Sequence, residues 1–164
     1  MFKQIREATE LDLPVIVEIY NASIPDRLAT ADLVPVTLES RLHWFQVHKS
    51  GDRPIWVLEI DGKIAGWLSF QSFYGRPAYR HTAEISIYVS PDWRRQGVGQ
   101  ELLTKAIMES PKLNITTLLA FVFAHNQPSL TLFKKQGFQQ WGYLPGVAKL
   151  DAQIRDLVIL GRKV

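Results

Sequence analysis

Residues 87–101, with the sequence IYVSPDWRRQGVGQE, constrain the fold more than any other part of the chain. An apolar strand is predicted to end at Val89, and an amphipathic run, ELLTKAIM, follows Gly97 and Gly99. Glycines between a strand and a helix let main-chain amides approach a ligand, and the helix start adds unpaired N–H donors and partial positive charge. The pattern therefore indicates a phosphate or diphosphate site. The alternative is a plain glycine turn beside two solvated arginines.

The glycine spacing excludes two common phosphate-binding motifs. A P-loop needs G-x-x-x-x-G-K-[ST], which the chain lacks, and a Rossmann fingerprint needs a third glycine where Leu102 stands. The run Arg94-x-x-Gly97-x-Gly99 instead resembles the acetyl-CoA diphosphate loop, Q/R-x-x-G-x-G/A, of the GCN5-related N-acetyltransferases (GNAT). The resemblance implies that the following loop residues hold the cofactor's diphosphate: Arg94, Arg95, Gln96, Gly97, Val98, Gly99 and Gln100.

Composition narrows the class of protein and its partners. The 164 residues fit one domain, and we expect a single domain over residues 1–164. A net charge of +3 with scattered Lys and Arg does not favour a nucleic-acid partner. No apolar run approaches the roughly 20 residues of a membrane span, and residues 1–10 lack the apolar core of a signal peptide. Cysteine is absent, so we expect no disulfide, no metal site and a cytoplasmic protein.

Hydrophobic periodicity and turn signals predict an α/β fold with a mixed, largely antiparallel central sheet flanked by helices. Strands are predicted at residues 3–6, 55–60, 63–70, 82–89, 115–123, 138–144 and 148–160. Helices are predicted at residues 11–20, 38–48, from the glycine run to about 109, and at 127–136. This order of elements is also the one that the GNAT resemblance implies.

A second segment strengthens the resemblance. Asn126 stands just before the predicted helix at residues 127–136, and that helix ends in a Gly-Phe pair, as in the second cofactor segment of the family. Residues 8–14, 19–21 and 75–84 are similar to phosphinothricin and methionine sulfone N-acetyltransferases. The resemblance implies acetyl-CoA as co-substrate, contact between it and Asn126, and a homodimer. It also implies a splayed or bulged strand that frees amides at Ile87, Tyr88 and Val89.

Glu84 is the candidate catalytic base. Alternation in TAEISIYV places Ala83, Ile85, Ile87 and Val89 on one strand face and Glu84, Ser86 and Tyr88 on the other. An ionised side chain within a strand is costly to bury without a partner. The alternatives are an exposed sheet face or a salt bridge to Arg80. The family resemblance implies a base at Glu84, whose pKa partial burial would raise towards neutrality.

The acceptor is expected between two loops, residues 21–36 and 73–81. Arginine pairs bind small carboxylates well, and aromatic rings can wall a side chain. The resemblance implies an amino-acid-like acceptor, and the predicted substrate-binding residues are Tyr74, Arg76, Tyr79, Arg80 and Thr82. The alternative for this loop is a basic, aromatic dimer surface.

Phe133 stands where many relatives carry a tyrosine that protonates the departing thiolate. Phenylalanine cannot donate a proton, so we assign no general acid. Two other functions stay open at this stage. One is acetylation of a protein N-terminus or another small amine, and the other is binding of an acyl-CoA without catalysis.

Overall fold

The structure is a computed structural model that describes residues 1–49 and 51–164. Within these ranges the strands are β1 Lys3–Glu7, β2 Ile55–Ile60, β3 Lys63–Ser72, β4 Thr82–Val89, β5 Thr117–Phe123, β6 Gln139–Leu150 and β7 Gln153–Lys163. The α-helices are α1 Leu13–Ala22, α2 Leu38–Lys49, α3 Val98–Glu109 and α4 Gln127–Lys135. No helix among the described residues has the length and apolar character needed to cross a membrane.

The strands form one mixed sheet in the order β1-β2-β3-β4-β5-β7-β6. Among the described residues β4 and β5 are the parallel neighbours, and the other pairs are antiparallel. This confirms the predicted α/β fold with a largely antiparallel sheet. Pairing between β4 and β5 covers only Thr82, Ala83 and Glu84. Beyond Glu84 the two strands separate, while β4 stays paired to β3 as far as Val89.

Each face of the sheet carries its own apolar core. One core contains Ala83 and Ile85 of β4 together with residues of α3 and α4, and the other contains α1 residues with Trp67 of β3. Tyr88 packs against the second core. The predicted alternation of β4 is therefore confirmed, because the two residue sets face opposite sides of the sheet. The polar side of β4 faces α1 and α2.

The terminal hairpin differs from its prediction. Its turn lies at Asp151 and Ala152, and not at residues 145–147. Pro145 and Gly146 instead lie inside β6, where the register with β7 shifts between Leu144 and Ala148. A proline is tolerated there because β6 is an edge strand and needs no donor on its open side. The register shift accommodates Pro145 and Gly146, which are residue types typical of a turn, within the strand.

Candidate active site

The glycine run forms a tight corner between β4 and α3. Arg95 and Gly97 adopt left-handed conformations, with φ of 59° and 80° respectively. Gly97 is the N-cap of α3, so the amides of the first helical turn lack helical acceptors and carry the positive end of the helix dipole. A Cβ built on Gly97 would meet nothing within 4 Å. The corner thus combines unpaired main-chain donors of the helix start with an open side at Gly97, as an anion site requires.

The other residues of the corner have distinct roles. A Cβ on Gly99 would lie 3.2 Å from Leu132 Cδ2, so this glycine allows α3 to approach α4 closely. Val98 is buried in the core, and Gln100 is exposed in the first turn of α3. Gln96 Nε2 donates to the Asp92 carbonyl oxygen at 3.3 Å.

Both arginines of the corner are exposed, and Arg94 Nη2 lies 3.9 Å from Asp26 Oδ2. Arg94 is therefore only loosely held by the loop between α1 and α2. An exposed guanidinium that is held this loosely is available to an anion.

A groove opens where β4 and β5 separate, and we call it the inter-strand groove. Its volume is about 50 Å³. It is lined by Leu28, Ala29, Ile85, Ser86, Ile87, Tyr88, Ala120, Phe121, Val122, Phe123, Asn126, Ser129 and Phe133. The predicted residues Ile87, Tyr88 and Asn126 are therefore brought together, while Val89 pairs with Gly66 at the end of β4. Because β4 is not paired to β5 beyond Glu84, the main-chain groups on the β5 side of β4 face the groove.

Asn126 fixes one wall of the inter-strand groove. Its Oδ1 accepts from the Ser129 amide at 3.3 Å, and its Nδ2 donates to the Leu28 carbonyl oxygen at 3.2 Å. Next to it, His125 Nε2 lies 2.9 Å from the carbonyl oxygen of Arg27. These contacts hold the loop between α1 and α2 over the groove. Much of the Asn126 side chain is thus used structurally, as a helix cap and a loop anchor.

A second and larger cavity lies on the opposite face of β3 and β4, beneath α1 and α2. We call it the aromatic pocket, and its volume is about 130 Å³. It is lined by Ile16, Val17, Tyr20, Val36, Arg41, Trp44, Trp67, Ser69, Gln71, Ser86 and Tyr88. Four aromatic rings form much of its wall, and short polar side chains of β3 and β4 form its floor. Such a pocket suits a small molecule that has both apolar and polar parts.

The inter-strand groove and the aromatic pocket meet at β4. Ser86 and Tyr88 line both cavities. A molecule in the groove and another in the pocket would therefore approach each other beside these two residues. This is the arrangement that a transfer reaction between two bound molecules needs.

Glu84 lies on β4 on the same face as Ser86, next to the pocket floor. It is opposite Gln71, which lines the pocket, as Ser86 is opposite Ser69. Burial raises the pKa of the Glu84 carboxyl above its ordinary value. Among the described residues it has no hydrogen bond or ion pair, and Arg80 Nε donates to His81 Nε2 at 3.2 Å instead. A half-buried carboxylate without a partner is a chemically competent base.

The predicted substrate loop lies outside the aromatic pocket. Tyr74 and Tyr79 pack around Phe73, with ring centroids 4.3 and 5.5 Å from it. Arg76 is exposed before a 3-10 turn at Pro77–Tyr79. The pocket's described lining includes neither these residues nor Arg80 or Thr82, although Thr82 begins the strand that carries Glu84. Their role in acceptor binding stays a prediction.

Sequence reasoning missed most of the pocket wall. Arg41 and Trp44, three residues apart on α2, are not among the predicted substrate-binding residues. A partial signal is present in β3, where the polar residues Ser69 and Gln71 alternate with the apolar residues Leu68 and Phe70.

A family model described as Acetyltransferase (GNAT) family matches residues 16–138, which include the corner, the groove and Glu84. The chain belongs to the GNAT family. This makes it an acetyl-CoA-dependent N-acetyltransferase of the GNAT type. The predicted family resemblance and enzyme class are confirmed.

Relatives of this GNAT protein cover nearly its whole length. A Bacillus subtilis protein, provisionally named a phosphinothricin acetyltransferase, is 49% identical over 161 residues, 98% of each chain. An L-methionine sulfoximine/L-methionine sulfone acetyltransferase of Pseudomonas aeruginosa is 30% identical over 98% of this chain and 94% of its own. A crystal structure of a Sinorhizobium meliloti phosphinothricin acetyltransferase in complex with AcCoA superimposes with a TM-score of 0.94. It is 26% identical and covers 100% of this chain and 89% of its own.

Proposed function

We propose that this GNAT enzyme acetylates the amino group of a small amino-acid-like molecule by direct transfer, with Glu84 as general base. The meeting of the two cavities at Ser86 and Tyr88, with Glu84 two residues away, carries the proposal. The names of the relatives add the substrate type, which is phosphinothricin, methionine sulfone or methionine sulfoximine.

We assign acetyl-CoA to the corner and the inter-strand groove. The diphosphate would bind the amides around Gly97, which has a left-handed conformation at the start of α3, with charge from Arg94 and Arg95. The pantetheine arm would lie in the inter-strand groove against the open edge of β4. Amides between Ile87 and Val89 would polarise the thioester carbonyl, as oxyanion donors do. The bound molecule supplies the acetyl group and the thiolate leaving group.

Glu84 would remove a proton from the acceptor's ammonium group, directly or through a water. Its raised pKa brings the carboxylate closer to the range in which a base is effective at neutral pH. The freed amine would then attack the thioester carbon, the C–S bond would break to release the thiolate, and the second proton of the nitrogen would pass to solvent as the amide forms.

No side chain is assigned to protonate the thiolate. Phe133 lines the groove without a proton to give, and burial raises the pKa of the Tyr88 phenol, which makes it a weak acid. The thiolate is therefore expected to leave unprotonated and to take its proton from solvent.

The acceptor's side chain would occupy the aromatic pocket, and its carboxylate would face the start of β4. Arg76 and Arg80 are the predicted carboxylate ligands, with Tyr74, Tyr79 and Thr82 around them. The walled shape of the pocket argues against a protein N-terminus as acceptor, because an extended peptide needs an open groove.

We also propose a homodimer formed through the β6 edge. The exposed apolar side chains of the terminal hairpin are Trp141, Tyr143, Leu144, Val147 and Ile154. An apolar edge strand is a hazard for a free monomer, and pairing would cover it. One N-acetyltransferase domain over residues 1–164, a cytoplasmic location, and the absence of nucleic-acid and metal partners stay predictions.

Thiol release from acetyl-CoA tests the function directly. The panel contains phosphinothricin, methionine sulfone, methionine sulfoximine, unmodified amino acids, polyamines and short peptides. We expect turnover with an amino-acid analogue. Turnover of peptides alone would favour an N-terminal acetyltransferase, and acetyl-CoA binding without turnover would favour a non-catalytic binding protein.

A further inference from the structure

Arg41 is the charged residue among the described lining of the aromatic pocket. Its guanidinium carbon lies 4.9 Å from the ring centroid of Tyr20 and 5.6 Å from that of Trp44. Among the described residues its side chain makes one hydrogen bond, at 3.4 Å to Asp32 Oδ2. A guanidinium has five N–H donors, so most of them are free to bind an oxygen atom of a molecule in the pocket.

The charge of Arg41 is already compensated by Asp32. The Asp32 carboxylate is held in place by the Tyr20 hydroxyl, which also lies 2.6 Å from Thr30 Oγ1. Glu84 places a second carboxylate beside the pocket floor. An anionic group entering the pocket would therefore meet one cation and two carboxylates, whereas a neutral oxygen group would still gain the free donors of Arg41 without that repulsion.

We propose that the Arg41–Asp32 pair selects acceptors whose side chain ends in an uncharged, strongly dipolar oxygen group. A sulfone or sulfoximine has this character, and a phosphinate of the same shape carries a negative charge. This inference rests on the proposed function and sharpens its substrate class. Arg41 and Asp32 are specificity residues and take no part in bond making.

Methionine sulfone and phosphinothricin form a matched pair of probes, because their side chains have the same length and a tetrahedral end but differ by one charge. We expect wild-type enzyme to have the higher kcat/KM for methionine sulfone. In Asp32→Asn the ratio of the two kcat/KM values should shift by about tenfold towards phosphinothricin. Removal of one partly screened charge a few ångströms away has about this effect. The shift should appear mainly in KM, since the groups are remote from the reacting atoms.

Asp61→Asn is the matched control. It removes one carboxylate from the β2–β3 turn, where Asp61 accepts from the Phe2 amide, and asparagine tolerates the local φ of 48°. The ratio should stay at the wild-type value, and the Kd for acetyl-CoA should be unchanged in both variants.

Three outcomes contradict one idea or the other. An unchanged ratio in Asp32→Asn, with both analogues still turned over, would overturn the specificity inference and leave the function standing. A higher kcat/KM of the wild-type enzyme for phosphinothricin than for methionine sulfone would also overturn the specificity inference and leave the function standing. Acetyl-CoA binding without turnover of any amino-acid analogue would remove the proposed function itself.

Discussion

The inter-strand groove and the aromatic pocket share one wall at Ser86 and Tyr88, but they are built from different materials. The donor side, which comprises the glycine corner and the inter-strand groove, depends largely on the main chain, because β4 loses β5 there and Gly97 adopts a left-handed conformation. The pocket is a side-chain site whose wall comes from α1, α2, β3 and β4. A main-chain site depends on local conformation, whereas a side-chain site depends on which residues four elements happen to bring together.

This difference separates the two halves of the reaction. The donor half needs the same diphosphate and thioester contacts whatever the acceptor, and main-chain donors supply them independently of most side chains. The acceptor half can change through single substitutions on the pocket wall. Variants on the two sides should therefore affect acetyl-CoA and acceptor parameters separately.

The largest expected effect is on the acceptor side. Glu84→Gln keeps the shape of the side chain but removes the base, so kcat at neutral pH should fall by roughly 10²–10⁴-fold. The Kd for acetyl-CoA should not change, because Glu84 lies before the point where the groove opens. Steady-state kinetics and calorimetry measure the two quantities.

Glu39→Gln serves as the control for this variant, since Glu39 is an exposed glutamate in the first turn of α2. It should keep wild-type kcat. A near-wild-type kcat in Glu84→Gln would exclude Glu84 as the base, and a lost acetyl-CoA affinity would mean that the two sides are not separable.

The next largest effect is on the donor side. Gly97→Ala places a Cβ at a φ of 80°, where it meets no neighbour but strains the backbone by about 1–2 kcal/mol. If the corner relaxes, the amides turn away from the diphosphate, and the Kd for acetyl-CoA should rise by roughly 5–30-fold. The acceptor KM should stay close to wild type.

Gly62→Ala gives the matched comparison, because Gly62 has a φ of 81° and equally open surroundings in the β2–β3 turn. Both variants should lose similar stability in a thermal melt. Only Gly97→Ala should weaken the binding of acetyl-CoA. An equal loss of affinity in both variants would indicate general destabilisation of the protein.

The glycine corner could be predicted from sequence because its determinants are local. Arg94, Gly97 and Gly99 stand within six residues, and the strand and helix around them have clear periodicity. The strand bounds predicted at residues 55–60 and 82–89 were likewise correct, since each depends on a short run of residues. The separation of β4 from β5 followed only from the family resemblance, because pairing between distant segments leaves no local pattern.

The aromatic pocket could not be predicted in the same way. Tyr20, Arg41, Gln71 and Ser86 come from four elements, and nothing in the sequence around each residue indicates that they share a cavity. The arginines and tyrosines of residues 73–81 are close in sequence and could therefore be grouped as a predicted binding loop. Arg41 is a single charged residue within the helical pattern of α2, and its neighbours in sequence do not distinguish it from a surface residue.

The smallest expected effect concerns stability and follows from the unpaired state of Glu84. Its folded-state pKa is raised, so the folded protein binds this proton more tightly than the unfolded chain. Ionising Glu84 therefore costs more free energy in the folded protein than in the unfolded chain. This cost to stability is absent at pH values below the ordinary glutamate pKa and is fully present above the raised, folded-state pKa. Glu84→Gln removes it and should melt higher than wild type at pH 7 but equal to it near pH 3.

The gain in the free energy of unfolding should stay below about 1 kcal/mol, because water screens the exposed part of the side chain. In a chain of this size it would raise the melting temperature by at most roughly 2–4 °C. Asp12→Asn provides a contrast of opposite sign. Arg6 donates to Asp12 at 2.7 and 3.0 Å and lowers its pKa, so this variant should lose stability at pH 7 and approach wild type in acid. If Glu84→Gln were also destabilising at pH 7, the Glu84 carboxylate would have a stabilising partner, and its assignment as a poised base would fail.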